Sequence, residues 1–185
     1  MSVCVRRVGT VLGIVAWCSA AAWAEPVLWP VNGHYYDVVD SAMTWDQAFA
    51  AASSLSWLGV TGHLATVTSA DENLFLTNTF NAWTLDGHWL GGYQLPGSPE
   101  PAVGWTWVTG EPFNFLGWSP GEPNDYNGID EDRLCFLHPV ESWGKPWNDQ
   151  EGSTVLRGYV VEFPVPEPNA GLLLALPLLM ARRQR

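Results

Sequence analysis

Cysteine and basic residues are both scarce in this chain. It holds three cysteines, and eight Lys and Arg against nineteen Asp and Glu. Cys4 and Cys18 lie near the start, so residues 25–164 keep Cys135 alone, and one cysteine cannot form an internal disulfide. Cys135 sits in the apolar run Leu134-Cys135-Phe136-Leu137, which fits a buried, inert thiol. Five arginines (6, 7, 182, 183 and 185) crowd the two ends. Between Glu25 and Glu167 only Arg133, Lys145 and Arg157 face all nineteen acids. A surface of that sign disfavours nucleic acid and anionic membranes and favours cations. It is not a disordered acidic tail, because ten of the twelve tryptophans lie in the same segment and supply apolar area for a core.

Long apolar runs are also missing. Arg6 and Arg7 precede a small, apolar stretch from Val8 to Ala22, and Ala22-Trp23-Ala24 fits a small-x-small cleavage site. Residues 1–24 therefore read as a signal peptide and imply export. At the other end, Val165-Pro166-Glu167-Pro168 precedes an apolar run, Ala170 to Ala181, and then three arginines. Those twelve residues would span only ~18 Å as a helix against a hydrocarbon core of ~30 Å. Pro177 interrupts them as well. The segment suits transient membrane association better than a permanent anchor. Residues 165–185 resemble the PEP-CTERM sorting signal. That resemblance implies an exosortase as partner during sorting, and a cell-surface or extracellular destination.

The segment 25–164 reads as one domain. Gly33 to Val39 is rich in aromatic and β-branched residues, as a strand requires. Thr44-Trp45-Asp46-Gln47 is a capping box, followed by Trp45, Ala48, Phe49, Ala52 and Leu55 on one helical face. His63 to Val67 reads as a short strand. Ser69-Ala70-Asp71-Glu72 is a second capping box and opens a helix to about Phe80. No helical period appears from Trp89 onward. Short strands, at Trp89–Tyr93, Trp105–Val108, Leu134–Leu137 and Gly158–Phe163, alternate with turn residues. Two early helices and a later antiparallel region predict an α+β fold. The stretch 110–130 is a long, turn-rich loop, and ordered loops of that length are usually functional.

Oxygen donors gather around that loop. Glu122-Pro123-Asn124 and Trp147-Asn148-Asp149 put carboxylates and amides on two separate loops, with the acidic run Asp130-Glu131-Asp132 between them. Calcium takes about 6–8 oxygen ligands of both kinds. Taken alone, Glu122-Pro123-Asn124 reads as a turn. The four histidines are spread out with no metal-ligand spacing. Trp89, Trp107 and Trp147 read as core, while Tyr126 and Trp143 lie in loops and suit stacking on a ligand.

The order of these landmarks resembles the C-type lectin-like domain, over nearly all of Trp29 to Phe163. The matching pieces are the two capped helices, Trp89-Leu90-Gly91, Trp107-Val108-Thr109-Gly110-Glu111-Pro112, Gly121-Glu122-Pro123-Asn124, Glu131-Asp132, Trp147-Asn148-Asp149 and Val161-Glu162-Phe163. The likeness is to a bacterial, cysteine-poor branch, since Val161 stands where a cysteine is usual. It implies two helices flanking small antiparallel sheets, with a cis peptide before Pro123. It further implies a calcium ion held by Glu122, Asn124, Glu131, Asn148 and Asp149, the same residues binding a glycan or exopolysaccharide. Asp125 and Asp132 resemble ligands of an auxiliary second calcium. Glu-Pro-Asn resembles the mannose, glucose and fucose type of site. A calcium-stabilised structural or protein-binding module of the extracellular matrix is the alternative. The sequence offers no nucleophile–base pair, and an enzyme is not expected.

Overall fold

A computed structural model describes residues 25–137 and 146–165. The signal-peptide segment 1–24, nearly all of the sorting signal 165–185, His138 and Trp143 lie outside the described residues. In chain order, β1 (Val27–Leu28) and β2 (Tyr35–Val39) lead into α1 (Trp45–Ser54). The strands β3 (Ser56–Trp57), β4 (Val60–Thr61) and β5 (His63–Leu64) follow, then α2 (Ala70–Thr79) and α3 (Ala82–Leu85). The second half contains β6 (His88–Gln94), β7 (Trp105–Trp107), a 3-10 turn (Tyr126–Gly128), β8 (Arg133–Phe136), β9 (Trp147–Gln150) and β10 (Gly158–Phe163).

Thr44 caps α1 as its sequence demands. Its hydroxyl accepts the Gln47 amide, and the Gln47 side chain accepts the Thr44 N–H, so both ends of the capping box form. Trp45, Ala48 and Ala52 carry the buried face. Phe49, expected there too, is exposed and stacks its ring on Trp45 at 5.5 Å. Leu55 ends the helix in an extended conformation. The second box is only half made. Ser69 accepts the Glu72 N–H, but the Glu72 carboxylate turns inward and accepts from Tyr36 and Thr68.

The main sheet runs β1-β2-β10-β6-β8-β9, with β5 also on β10 and β7 also on β6. All pairs are antiparallel except β10 with β6. Pairing β2 with β10 joins the two ends of the domain, from Tyr159↔Val39 to Phe163↔Tyr35. Every residue of β10 is buried, so this strand is covered on both faces. On one face Tyr159, Val161 and Phe163 pack with Trp45, Ala48 and Ala52 of α1, Trp89 and Cys135. On the other, Val160 joins Leu76 of α2, Leu134, Phe136, Trp107 and Trp147. Odd and even residues of β8 and β10 divide between the two cores, as the two-residue strand period requires. Cys135 is fully buried and its thiol is pushed up by that burial.

The fold without a described disulfide rests on aromatic packing. Trp147 is fully buried, and its ring lies 5.6 Å from Trp107, 5.2 Å from Phe115 and 5.9 Å from Trp118 in edge-to-face contact. Each such pair adds roughly 0.5–1.5 kcal/mol beyond its burial. The indole N–H donates to Asn73 Oδ1 at 3.0 Å, which ties β9 to α2. Backbone bonds from Ser119 N to Trp147 O and from Trp147 N to Gly117 O lay the 110–130 loop along β9. Glycine is required at 117, because a Cβ there would sit 2.7 Å from the Trp147 ring. The aromatic core thereby fixes the strand and the loop that carry the oxygen donors.

Candidate functional site

The residues Trp147-Asn148-Asp149, read from sequence as a loop, form part of strand β9 paired with β8. Alternation along it buries Trp147 and Asp149 and half-exposes Asn148 and Gln150. The Glu122–Pro123 peptide is cis, as the family resemblance implied.

Asp149 is fully buried. Its Oδ2 accepts the backbone N–H of Asn124 at 2.7 Å and of Asp125 at 3.0 Å, which docks the Glu-Pro-Asn loop on β9. Glu131 is 6% exposed, and its Oε2 accepts the Tyr126 N–H at 2.8 Å. Asp125 closes the turn by accepting the Glu131 N–H on Oδ1 at 3.1 Å. The Asn148 amide contacts the Asp149 carbonyl. These contacts bring Glu122, Asn124, Glu131 and Asn148 to one pocket of about 310 Å³, shared with Tyr126, Leu137 and Gln150. Asp149 lies against its base through the Asn124 and Asp125 amides.

The charge in this site is uncompensated. No basic side chain lines the pocket among the described residues. Glu122 Oε2 and Asp149 Oδ1 are both buried without a hydrogen-bond partner. Burial, the adjoining Asp149 carboxyl and its charge, and then Glu131, push Glu122 up to about 7, against a smaller opposing pull from Asn124. Glu131 is also raised, first by burial, while the Tyr126 N–H lowers it. Orphaned carboxylate oxygens beside neutral amides are a donor set for a hard cation. Glu122, Asn124, Glu131, Asn148 and Asp149 fit calcium by this chemistry.

A second polar cluster lies in the core behind α2. Tyr36 Oη lies 2.5 Å from Glu72 Oε1 and 3.0 Å from Glu162 Oε1, and His34 Nδ1 lies 2.5 Å from the same Glu162 oxygen. Burial raises Glu72, and the hydrogen bond to Glu162 raises His34. Acids and bases raised on folding stabilise below their unfolded values and lose that contribution as pH climbs through the folded ones. Glu122, pushed up to about 7, titrates in this sense near neutrality, and His34, raised above its ordinary 6.5, acts with the same sign. His88, lowered by burial, acts oppositely, but only as pH falls through its ordinary value of 6.5. In EDTA, the melting temperature should therefore rise as pH falls from 8 to 6.5. Thermal melts at fixed ionic strength check this, and a flat or falling trend would contradict the assignment.

The structure separates the two acids expected at an auxiliary ion. Asp125 groups with Glu100 and Asp130, whose carboxylate oxygens lie within 4.8 Å of one another. Asp132 instead pairs with Arg133 at 2.5 Å and lines a different cavity with Asp46, Asp130 and Glu151. The neighbouring guanidinium, held over the Trp45 ring at 4.7 Å, takes the carboxylate that the motif spacing offered to a cation. Sequence reading missed Glu100 because it lies in a distant loop between two prolines and shares no spacing with Asp125. Gln150 was missed too, because the two-residue period that places it beside Asn148 comes only with strand β9. Tyr126 is 65% exposed at the pocket edge, free to stack.

No family model matches the chain. Individual proteins do. The chain is 32% identical over 145 residues to C-type lectin domain family 4 member G of Mus musculus, covering 78% of this chain and 44% of that protein. It is 30% identical over 121 residues to the alpha-N-acetylgalactosamine-specific lectin of Patiria pectinifera, 64% of this chain and 67% of that one. Among solved structures, the cow C-type carbohydrate-recognition domain of CD23, determined in the presence of GlcNAc2Man3 oligosaccharide, superposes with a TM-score of 0.57 at 27% identity. That match covers 72% of this chain and 89% of that chain. The chain belongs to the C-type lectin-like domain family. It spans only 1% and 44% of the length of two of the longer relatives it matches.

Proposed function

We propose that this protein is an exported, calcium-dependent carbohydrate-binding protein whose site is formed by Glu122, Asn124, Glu131, Asn148 and Asp149. The observation that carries the reading is the pair of buried, unpartnered oxygens, Glu122 Oε2 and Asp149 Oδ1, at a polar pocket. The relatives' names, two of them lectins, support it. When bound, calcium would supply coordination positions for two neighbouring ring hydroxyls. Glu122 and Glu131 then accept from those hydroxyls, and the amides of Asn124 and Asn148 donate to them. Tyr126 offers an exposed ring for stacking beside them. Of the two acids expected at an auxiliary ion, Asp125 lies with the carboxylates of Glu100 and Asp130, and Asp132 pairs with Arg133.

The site is assigned to the mannose, glucose and fucose type, and the ligand class to a cell-surface glycan or exopolysaccharide. Residues 1–24 direct export, and residues 165–185 direct sorting by an exosortase with transient membrane association. Among the described residues, no helix is long and apolar enough to cross a membrane.

Mannose resin should retain the protein in calcium and release it in EDTA. The double change Glu122→Gln with Asn124→Asp should move preference towards galactose, read on a glycan array. Sugar preferences unchanged by the swap would place the sugar elsewhere. The alternative, a calcium-stabilised matrix module, draws on Asp149, whose hold on the Asn124 and Asp125 amides orders the loop without any sugar. It predicts a calcium-dependent rise in melting temperature with no glycan bound on the array.

A further inference from the structure

A second cavity adjoins the polar pocket and shares one residue with it. It measures about 510 Å³ and lies between the 102–105 segment and the 113–123 strap. Its walls are Val103, Trp105, Phe113, Leu116, Trp118 and Pro123, and Glu122 lines both cavities. The floor is an aromatic cluster, with Trp105 and Trp118 4.7 Å apart and Phe113 6.2 Å from Trp105. Above it, Val103 and Leu116 are 52% and 54% exposed. The floor is anchored, since Trp118 bridges to Trp147, the residue before Asn148 and Asp149. Trp118 on the groove floor and the Asn124 amide at the oxygen cluster are thus both tied to β9.

Chemistry narrows the occupant. Glu122 is the one charged residue in the groove's lining, so an anionic headgroup finds no partner there. An uncharged apolar group is favoured, because it covers the two exposed alkyl side chains and the aromatic floor. A group that fills the groove beside Glu122 lies next to the polar pocket, because Glu122 lines both.

We propose that the groove holds the alkyl or acyl substituent of a glycan whose ring sits at Glu122 and Asn124. The substrate class is then an acylated or alkylated glycan rather than a plain one. This inference rests on the sugar-binding reading above.

Paired methyl and octyl glycosides of mannose, glucose, fucose and galactose, kept below micellar concentration, test it. Their dissociation constants would be measured by calorimetry on the calcium-loaded full chain. For the bound sugar, the octyl member should bind at least about tenfold tighter, which corresponds to ~1.4 kcal/mol. The double variant Val103→Asp with Leu116→Asp, checked for an unchanged melt, should bring that ratio close to one. Equal affinity for both members overturns the groove assignment and leaves the sugar reading standing. A ratio that survives the double variant also overturns it. If no member of any pair binds in calcium, the sugar reading fails and this inference falls with it.

Discussion

Replacing Asp149 with Asn should abolish the calcium-induced rise in melting temperature while leaving a folded, cooperatively melting protein. For the wild type at a calcium concentration a hundredfold above Kd, mass action predicts ~2.7 kcal/mol of added stability. In a domain of this size that is on the order of 10 °C. The variant should lose essentially all of it. The reason lies in how Asp149 divides its two oxygens. Oδ2 accepts two backbone N–H groups of the Glu-Pro-Asn loop, and Oδ1 has no partner. An asparagine keeps one acceptor oxygen for the loop and removes the charge.

Two effects oppose each other in the apo protein. Losing the charge weakens the two loop contacts by about 1 kcal/mol each, the difference between a bond to a charged acceptor and one to a neutral acceptor. Burial first, and then the neighbouring Asp149 carboxyl, hold Glu122 up at about 7, and the change relieves the second of these. The apo melting temperature should therefore change little, and Glu122 should titrate closer to an ordinary carboxyl. A variant that still gains stability from calcium as the wild type does would remove Asp149 from the cage.

Trp147→Ala should be the most destabilising single change. Truncating a fully buried tryptophan costs ~3–5 kcal/mol, and the lost indole bond to Asn73 adds about 1. Domains are stable by only ~5–15 kcal/mol in total. The melting temperature should fall by more than about 10 °C, or the chain should fail to fold. Trp147→Phe keeps a ring against Trp107 and Phe115 and should cost clearly less. Because Asn148 and Asp149 follow Trp147 on β9, the Phe variant should also bind calcium more weakly than the wild type. Denaturant melts give the first quantity and calcium titration the second. A Trp147→Ala protein within ~1 kcal/mol of the wild type would refute the aromatic-core account.

These expectations show which parts of the molecule were legible in the sequence. Helix α1 was, because Thr44 and Gln47 cap it locally and Trp45, Ala48 and Ala52 repeat at helical spacing. Strand β10 was, because Gly158–Phe163 is an unbroken apolar and β-branched run apart from Glu162. Strand β9 was not. Asn148 and Asp149 are poor strand formers, and only pairing with β8 and the anchoring of Trp147 make them extended. Glu72 looked like a cap, but Tyr36 and Thr68, far from and near it in sequence, draw its carboxylate into the core. Asp132 pairs with its chain neighbour Arg133, whose guanidinium lies over the Trp45 ring. At β9 and at Glu72 a tertiary partner outweighs the local pattern. The grouping of Glu122, Asn124, Glu131 and Asn148 around one pocket was legible because each belongs to a short motif in a fixed order.

The central claim is that this pocket holds calcium. Calorimetric titration of the full chain with calcium tests it most directly, run at pH 7 in two buffers of different ionisation heat. The ligands must be deprotonated to bind, and Glu122 sits at about 7 without the ion. The account predicts saturable binding with a fractional proton released per ion, and a weaker affinity at pH 5.5. No saturable heat at any pH between 5.5 and 8, together with an unshifted melt in calcium, would contradict it.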